Sequence, residues 1–224
     1  MKGEKYISTP HEIIIASRLS KNKALIFLES RFYIRQALSE VFKLNPLKIP
    51  IEAYPGRVPK LPPKMGYVSI SHCHDAFLIA WHNEKIGIDI ERSDRKFNYK
   101  ALAKKYLIKN NHPQELTKIT RKLVLKQWGE IEAAIKWDEG KLAKDLREWE
   151  HEKSGKYLIH KTKQIKLTIN HYYFLDWSIA LAYKNIKDIY FTNIICSNIK
   201  NFEYKYYKLF IKLFFPSIIS WVPN

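Results

Sequence analysis

The chain is poor in several residue types that would place it in a common class. Its 224 residues include only two cysteines, Cys73 and Cys196. Two are too few for a disulfide framework and read as reduced thiols of a cytoplasmic protein. Glycine is scarce, at seven residues, and neither Gly-x-Gly-x-x-Gly nor a P-loop occurs. Nucleotide binding through those two phosphate-cradling loops is therefore unsupported. His72 and His74 are not joined by a cysteine or histidine cluster of zinc spacing, so zinc is not expected. Long apolar runs are also missing. Met1 to Ser8 is polar, and Ile13-Ile14-Ile15 is far shorter than the apolar stretch of a secretory signal, so none is expected. Leu209 to Val222 is broken by Lys212 and Pro216 and falls short of the roughly 20 residues of a span, so no membrane span is expected. Negative charge is the minority: 22 Asp+Glu face 39 Lys+Arg, a formal net charge of +17. That balance points to an anionic partner, whether nucleic acid, a phosphorylated ligand, an acidic protein or a membrane surface.

What is present suffices for a sizeable core, since 46% of the residues are hydrophobic. The length fits one large domain or two halves of about 100 residues. Ser20 to Leu44 reads as a helix, with Leu25, Leu28, Phe32, Leu38, Val41 and Phe42 at roughly helical spacing and Asn45-Pro46 ending it. Six prolines between Pro46 and Pro63 predict an extended connector that turns at Pro55-Gly56. Val68 to Trp81 reads as a strand pair, and Ile86 to Glu91 as the next strand. A short helix over Tyr99 to Ile108, a longer one over Thr117 to Lys136, and a third over Leu142 to Trp149 follow. Two strands complete the body, Tyr157 to Ile169 and Tyr172 to Tyr183. The order suggests an α+β protein of two similar halves, 1–95 and 96–200, with a basic aromatic tail over 201–224. That tail reads as a helix packed on the body or as a membrane-surface stripe.

Three segments hold residues able to do chemistry. In Ile86-Gly87-Ile88-Asp89-Ile90-Glu91 the isoleucines alternate with Gly87, Asp89 and Glu91. On a strand this buries one face and projects two carboxylates from the other, while Gly87 leaves the carboxylate side open to a close-approaching ligand. The pair is either a solvated strand face or two oxygen ligands for a divalent cation that carries phosphates. In Trp128 to Lys136, Glu132 and Lys136 are four positions apart on one helix face. They make a surface ion pair, or else a third oxygen ligand and a phosphate contact. Ser71 and His72 end an apolar strand, where they form a turn or meet a phosphate.

The order and spacing of these pieces resemble the 4′-phosphopantetheinyl transferases of the Sfp type. The family's Gly-Lys-Pro element looks like Pro55-Gly56-Arg57, and its Asn-Ile-Ser-His-Ser looks like Ser69 to Cys73. Its Gly-Ile-Asp-Ile-Glu stands unaltered as Gly87 to Glu91. Its Trp-x-x-Lys-Glu-Ala-x-x-Lys looks like Trp128 to Lys136. Ser69, Cys73, Arg57 and Val58 depart from the family's usual Asn, Ser, Lys and Pro. Ile131 stands where a lysine normally precedes the helix glutamate, which removes one phosphate-directed cation for which Lys126 or a tail lysine is a candidate substitute.

The resemblance implies transfer of the phosphopantetheine arm of coenzyme A to a serine of an apo carrier protein, with release of adenosine 3′,5′-bisphosphate. It implies Mg²⁺, or Mn²⁺, held by Asp89, Glu91 and Glu132, with Glu132 also the base. Lys136 and His72 would act on the phosphates, Ser71 would donate to them, and Arg57, Arg31 and Arg35 would bind coenzyme A. It further implies a cytoplasmic monomer of two pseudo-symmetric halves, each a small antiparallel sheet packed with helices, with the active site in the cleft between them. The acidic acyl, polyketide or peptidyl carrier would suit the positive charge, and the pathway would be fatty-acid or secondary-metabolite synthesis. A basic nucleic-acid-binding protein without catalysis is the alternative; its difficulty is that three carboxylates would repel phosphates.

Overall fold

The structure is a computed structural model that describes residues 8–73, 76–107 and 119–186, and the backbone of 194–196 and 207–212. Helix α1 (Pro10–Ser17) begins with a reciprocal cap: Glu12 N–H donates to Thr9 Oγ1, and Thr9 N–H donates to Glu12 Oε2. Pro10, at the first helical position, needs no N–H there. This helix is not foreshadowed by the sequence reading, because its apolar residues Ile13, Ile14 and Ile15 are consecutive rather than helically spaced. Helix α2 (Lys21–Phe42) ends where Lys43 turns left-handed at φ 54°. The proline-rich connector then crosses the surface, with single turns at Pro46–Lys48 and Pro63–Met65.

Strands β1 (Tyr67–Cys73), β2 (Ala76–His82) and β3 (Ile86–Arg92) fall where the apolar patterns place them. Helix α3 (Tyr99–Leu102) continues as one wider turn through Leu107. Helix α4 (Arg121–Trp137) starts at a Thr120 cap that accepts from Leu123 N–H; Thr117 lies outside the described residues. The third expected helix is cut short. Helix α5 covers only Leu142–Asp145, and Trp149 opens strand β4 (Trp149–His151), buried against His160 of the next strand. Strands β5 (Tyr157–His160), β6 (Lys166–Phe174) and β7 (Trp177–Tyr183) follow. The expected break before Tyr172 does not occur. The β6–β7 reversal is at Leu175-Asp176, with Leu175 at φ 49°, so no glycine or asparagine marks it.

Two more strands, β8 (Ile194–Cys196) and β9 (Tyr207–Lys212), complete the described residues. Tyr207–Lys212 is a strand parallel to β2, not the expected helix; the remainder of the tail lies outside the described residues. The sheets are four-stranded, β1-β2-β9-β8, and five-stranded, β3-β7-β6-β5-β4. All pairs are antiparallel except β2–β9, so the first sheet is mixed rather than purely antiparallel. Strand β3, which precedes the expected junction at residue 95, belongs to the second sheet.

Layering follows from which faces are apolar. Ile34, Ala37 and Leu38 of α2 pack on Val68 and Ile79. From the other side of β2, Ala76, Leu78 and Ala80 meet Ile86, Ile88 and Ile90 of β3, with Ile179 and Leu181 of β7. Each fully buried isoleucine or leucine there contributes about 1.5–3 kcal/mol. The far side of the second sheet is covered by α4, through Ile131, Ala133, Ala134 and Ile135. The result is helix, sheet, sheet, helix, with β3 an edge strand of the second sheet against β1. No helix among the described residues is long and apolar enough to cross a membrane.

Candidate functional site

The site exists because helix α4 lies unusually close to β3. A Cβ placed on Gly87 would stand 2.0 Å from Ala133 O and 2.6 Å from Trp137 N, both backbone atoms. Gly87 therefore admits this helix, not a ligand, which corrects the reading of an open strand surface. Gly87 pairs across the sheet with Ala182, and Asp89 with Ala180, so small residues extend the seat for α4. With the helix seated there, Glu132 and Lys136 come beside the carboxylates of β3.

Strand β1 meets β3 without a regular ladder. Ile88 N–H and Ile90 N–H donate to the hydroxyls of Ser69 and Ser71, at 3.2 and 3.3 Å. Ser71 in turn donates to Asp89 Oδ1 at 2.8 Å, and Lys136 Nζ donates to both Ser71 Oγ (2.8 Å) and Asp89 Oδ1 (2.7 Å). The Ser71 hydrogen expected to reach a phosphate thus goes to Asp89. Asp89 itself is 3% exposed, and its Oδ2 has no hydrogen-bond partner. On the neighbouring carboxylate, Arg95 Nη1 donates to both oxygens of Glu91, at 2.7 and 2.8 Å.

These groups line one cavity of about 500 Å³, together with the 56–59 turn. Arg57, Ser71, His72, Asp89, Glu91, Glu132 and Lys136 all border it. Four separated stretches supply them: the proline-rich turn, β1, β3 and α4. Arg31 and Arg35 are not among its lining residues. Arg35 is buried, ion-paired with Glu12 at 3.0 Å and donating to the carbonyls of Pro46 and Ile49. It ties α1 and the connector to α2. Arg31 is buried beside it, over the Phe27 ring, and desolvation lowers its pKa to about 10. Both were expected to bind coenzyme A, and both sit inside the helical layer instead. Ile131 is buried in the α4 core, and Lys126 pairs with Glu130 at 3.3 Å, so neither puts a cation in the cavity. His74 lies outside the described residues.

Electrostatics separate the three acids. Burial raises the Glu132 pKa to about 7; Asp89 and, less strongly, Glu91 add to the rise, while Lys136 opposes it. Glu91 is raised by desolvation against the pull of Arg95. His72 is lowered, first by desolvation and then by the Lys136 ammonium, so its imidazole is neutral at pH 7. Among the described residues no group of three or more His, Cys, Asp or Glu is gathered as a metal site. Lys136 holds Asp89 Oδ1 and Arg95 holds both oxygens of Glu91. The donor set still fits a hard divalent cation, because it is all carboxylate and the buried Asp89 Oδ2 has no hydrogen-bond partner.

Sequence reasoning missed Arg95, whose pairing with Glu91 depends on the path of the loop after β3. It also missed a buried pair on the far side of α4, where Glu130 Oε2 meets His151 Nε2 at 2.7 Å and Glu130 Oε1 lies 3.6 Å from His171 Nδ1. No hydrophobic period or motif announces either. Comparison with models of known protein families finds no match to this chain, and none of the curated proteins matches it.

Proposed function

We propose that this chain is a 4′-phosphopantetheinyl transferase of the Sfp type, which moves the arm of coenzyme A onto a serine of an acidic apo carrier protein. One observation carries the reading. The residues that the sequence resemblance selects from four separate stretches, Arg57, Ser71, His72, Asp89, Glu91, Glu132 and Lys136, border a single cavity. A strand motif, a turn and a distant helix motif that share one cavity support the reading.

In this reading Asp89, Glu91 and Glu132 hold Mg²⁺ or Mn²⁺, which neutralises the pyrophosphate charge when bound. The serine oxygen forms a bond to the phosphorus that bears the pantetheine arm, and the bond from that phosphorus to the bridging oxygen breaks. Adenosine 3′,5′-bisphosphate leaves with that oxygen, and Glu132 takes the serine proton. Without the cation the Glu132 pKa is about 7; the cation would hold Glu132 ionised and so able to accept the proton. Lys136 is aimed into the cavity by Ser71 and Asp89, within reach of a phosphate. Neutral His72 contributes a hydrogen bond rather than a charge, and Arg57, exposed at the rim, would contact the adenine or the 3′-phosphate. Two pseudo-symmetric halves, a cytoplasmic location and a monomeric state belong to the same proposal.

The test is mass spectrometry of apo fatty-acid, polyketide and peptidyl carriers after incubation with coenzyme A and Mg²⁺. A gain of one phosphopantetheinyl group on at least one carrier, abolished in Glu132→Gln, supports the reading. Unmodified carriers throughout, with the protein folded, refute it.

A further inference from the structure

The carboxylates of the site are not left bare in the free protein, and the two cations that cover them differ in how they are held. Lys136 is fixed by two hydrogen bonds, to Ser71 and Asp89, and only 27% of its side chain is exposed. Arg95 is different. Its side chain is 51% exposed, and its Nη1 lies almost equally far from both Glu91 oxygens, at 2.7 and 2.8 Å. That is the bisecting position a metal ion takes when one carboxylate binds it through both oxygens. The Glu91 side chain, by contrast, is only 13% exposed, so it needs a positive charge whichever group supplies it. Arg95 reaches the site through Glu91 and itself borders a second, aromatic-lined cavity of about 310 Å³, which includes Phe97, Tyr106 and Trp128. Trp128 borders this second cavity and lies one helical turn before Glu132, which borders the first.

We infer that Arg95 is a built-in competitor for the divalent cation at Glu91: it neutralises the empty site, leaves as the cation arrives, and then pairs with the anionic ligand the cation brings. The inference rests on the metal-site reading given above. Release of Arg95 is offset because the incoming cation supplies the positive charge that the largely buried Glu91 needs, while the exposed guanidinium returns to water. The displaced guanidinium remains at the cavity rim, with forked donors suited to a phosphate. By linkage, cation and ligand then each tighten binding of the other by the same factor.

The experiment is titration of the intact protein with Mn²⁺ alone, followed by electron paramagnetic resonance and calorimetry, and then with coenzyme A at saturating and zero Mn²⁺. Arg95→Ala is compared with wild type and with Lys96→Ala, which removes the same charge from the neighbouring exposed position. Arg95→Ala is expected to bind Mn²⁺ about two- to fivefold more tightly, the range set by loss of one ion pair whose arginine is exposed. It is also expected to lose most of the Mn²⁺-dependent gain in coenzyme A affinity, while Lys96→Ala leaves both unchanged. Arg95→Gln serves as a second variant with the same expectations. If wild type binds Mn²⁺ in a Glu132-dependent way but Arg95→Ala binds it no more tightly than Lys96→Ala, the role of Arg95 is overturned and the metal site stands. If neither wild type nor Arg95→Ala binds Mn²⁺, the metal-site reading falls, and the competitor role falls with it.

Discussion

Replacing Gly87 by alanine tests the contact on which the whole site depends. The added Cβ would lie 2.0 Å from Ala133 O, where ordinary contact begins near 3.4 Å, so α4 must rise by the difference, roughly 1.4 Å. Neither obstacle can swing aside, because one is a carbonyl oxygen and the other the Trp137 amide nitrogen. Overpacking of this kind costs about 1–3 kcal/mol when side chains can yield, and here the upper end applies. Alanine recovers about 0.5–1 kcal/mol of strand propensity over glycine. The net loss is about 2 kcal/mol, which for a chain of this size lowers the melting temperature by roughly 4–8 °C. The same displacement stretches the 2.7 Å bond between Lys136 and Asp89 past hydrogen-bonding distance. Thermal unfolding by circular dichroism reads the first effect, and Mn²⁺ or coenzyme A binding the second. Gly129→Ala is the contrasting variant. Its Cβ would meet Asp89 Oδ2 at 3.4 Å and Ala180 Cβ at 3.7 Å, so the helix gains up to about 1 kcal/mol. A Gly87→Ala protein that melts within a degree of wild type would refute the close seating of α4.

Glu132 supplies a pH test. Its folded pKa of about 7 is above the ordinary 4.5, so its contribution to stability is full below about pH 4.5 and is lost as pH rises to about 7. Glu132→Gln cannot ionise, and its stability relative to wild type should climb across that window by at most about 3 kcal/mol, measured by urea unfolding at several pH values; parallel curves would remove the assigned shift. Cation affinity should rise over the same interval, since binding releases the Glu132 proton, and calorimetry in buffers of different ionisation heat would record that proton. Lys136→Met leaves buried Asp89 without its cation and should cost roughly 1–3 kcal/mol while Mn²⁺ restores part of the loss; a variant with unchanged melting would show the pair to be dispensable. Glu12→Gln strands the buried Arg35 and should cost about 3–5 kcal/mol with coenzyme A affinity unaltered in the protein that remains folded; weakened affinity at full stability would return Arg35 to the binding site.

Much of the body was readable because hydrophobic pattern is a local record of burial. The alternation in Ile86 to Glu91 marks a strand with its isoleucines in the core, and the spacing of Trp128, Ile131 and Ile135 marks the buried side of α4, although Leu123, read on the same side, is exposed. Pattern failed where local signals were absent or misleading. Trp149 looked like the end of a helix because a bulky apolar residue fits either element; its pairing with β5 makes it a strand. The Leu175-Asp176 turn carries no residue that favours a positive φ, so only strand register places it. Arg31 and Arg35 looked like surface cations because charge suggests exposure; Glu12, in a helix the spacing did not reveal, draws Arg35 inside.

The sequence by itself determined which residues are candidates for chemistry: two carboxylates two apart on a strand, and a glutamate and lysine one turn apart on a helix. Those are short-range relations, set by backbone periods of two and 3.6. Only the tertiary structure decided that they meet. Asp89 and Lys136 are 47 positions apart, and what joins them is the missing Cβ of Gly87, which lets one helix backbone rest on one strand. Tertiary structure alone also decided which cations guard the acids, because the loop that returns Arg95 to Glu91 follows no period.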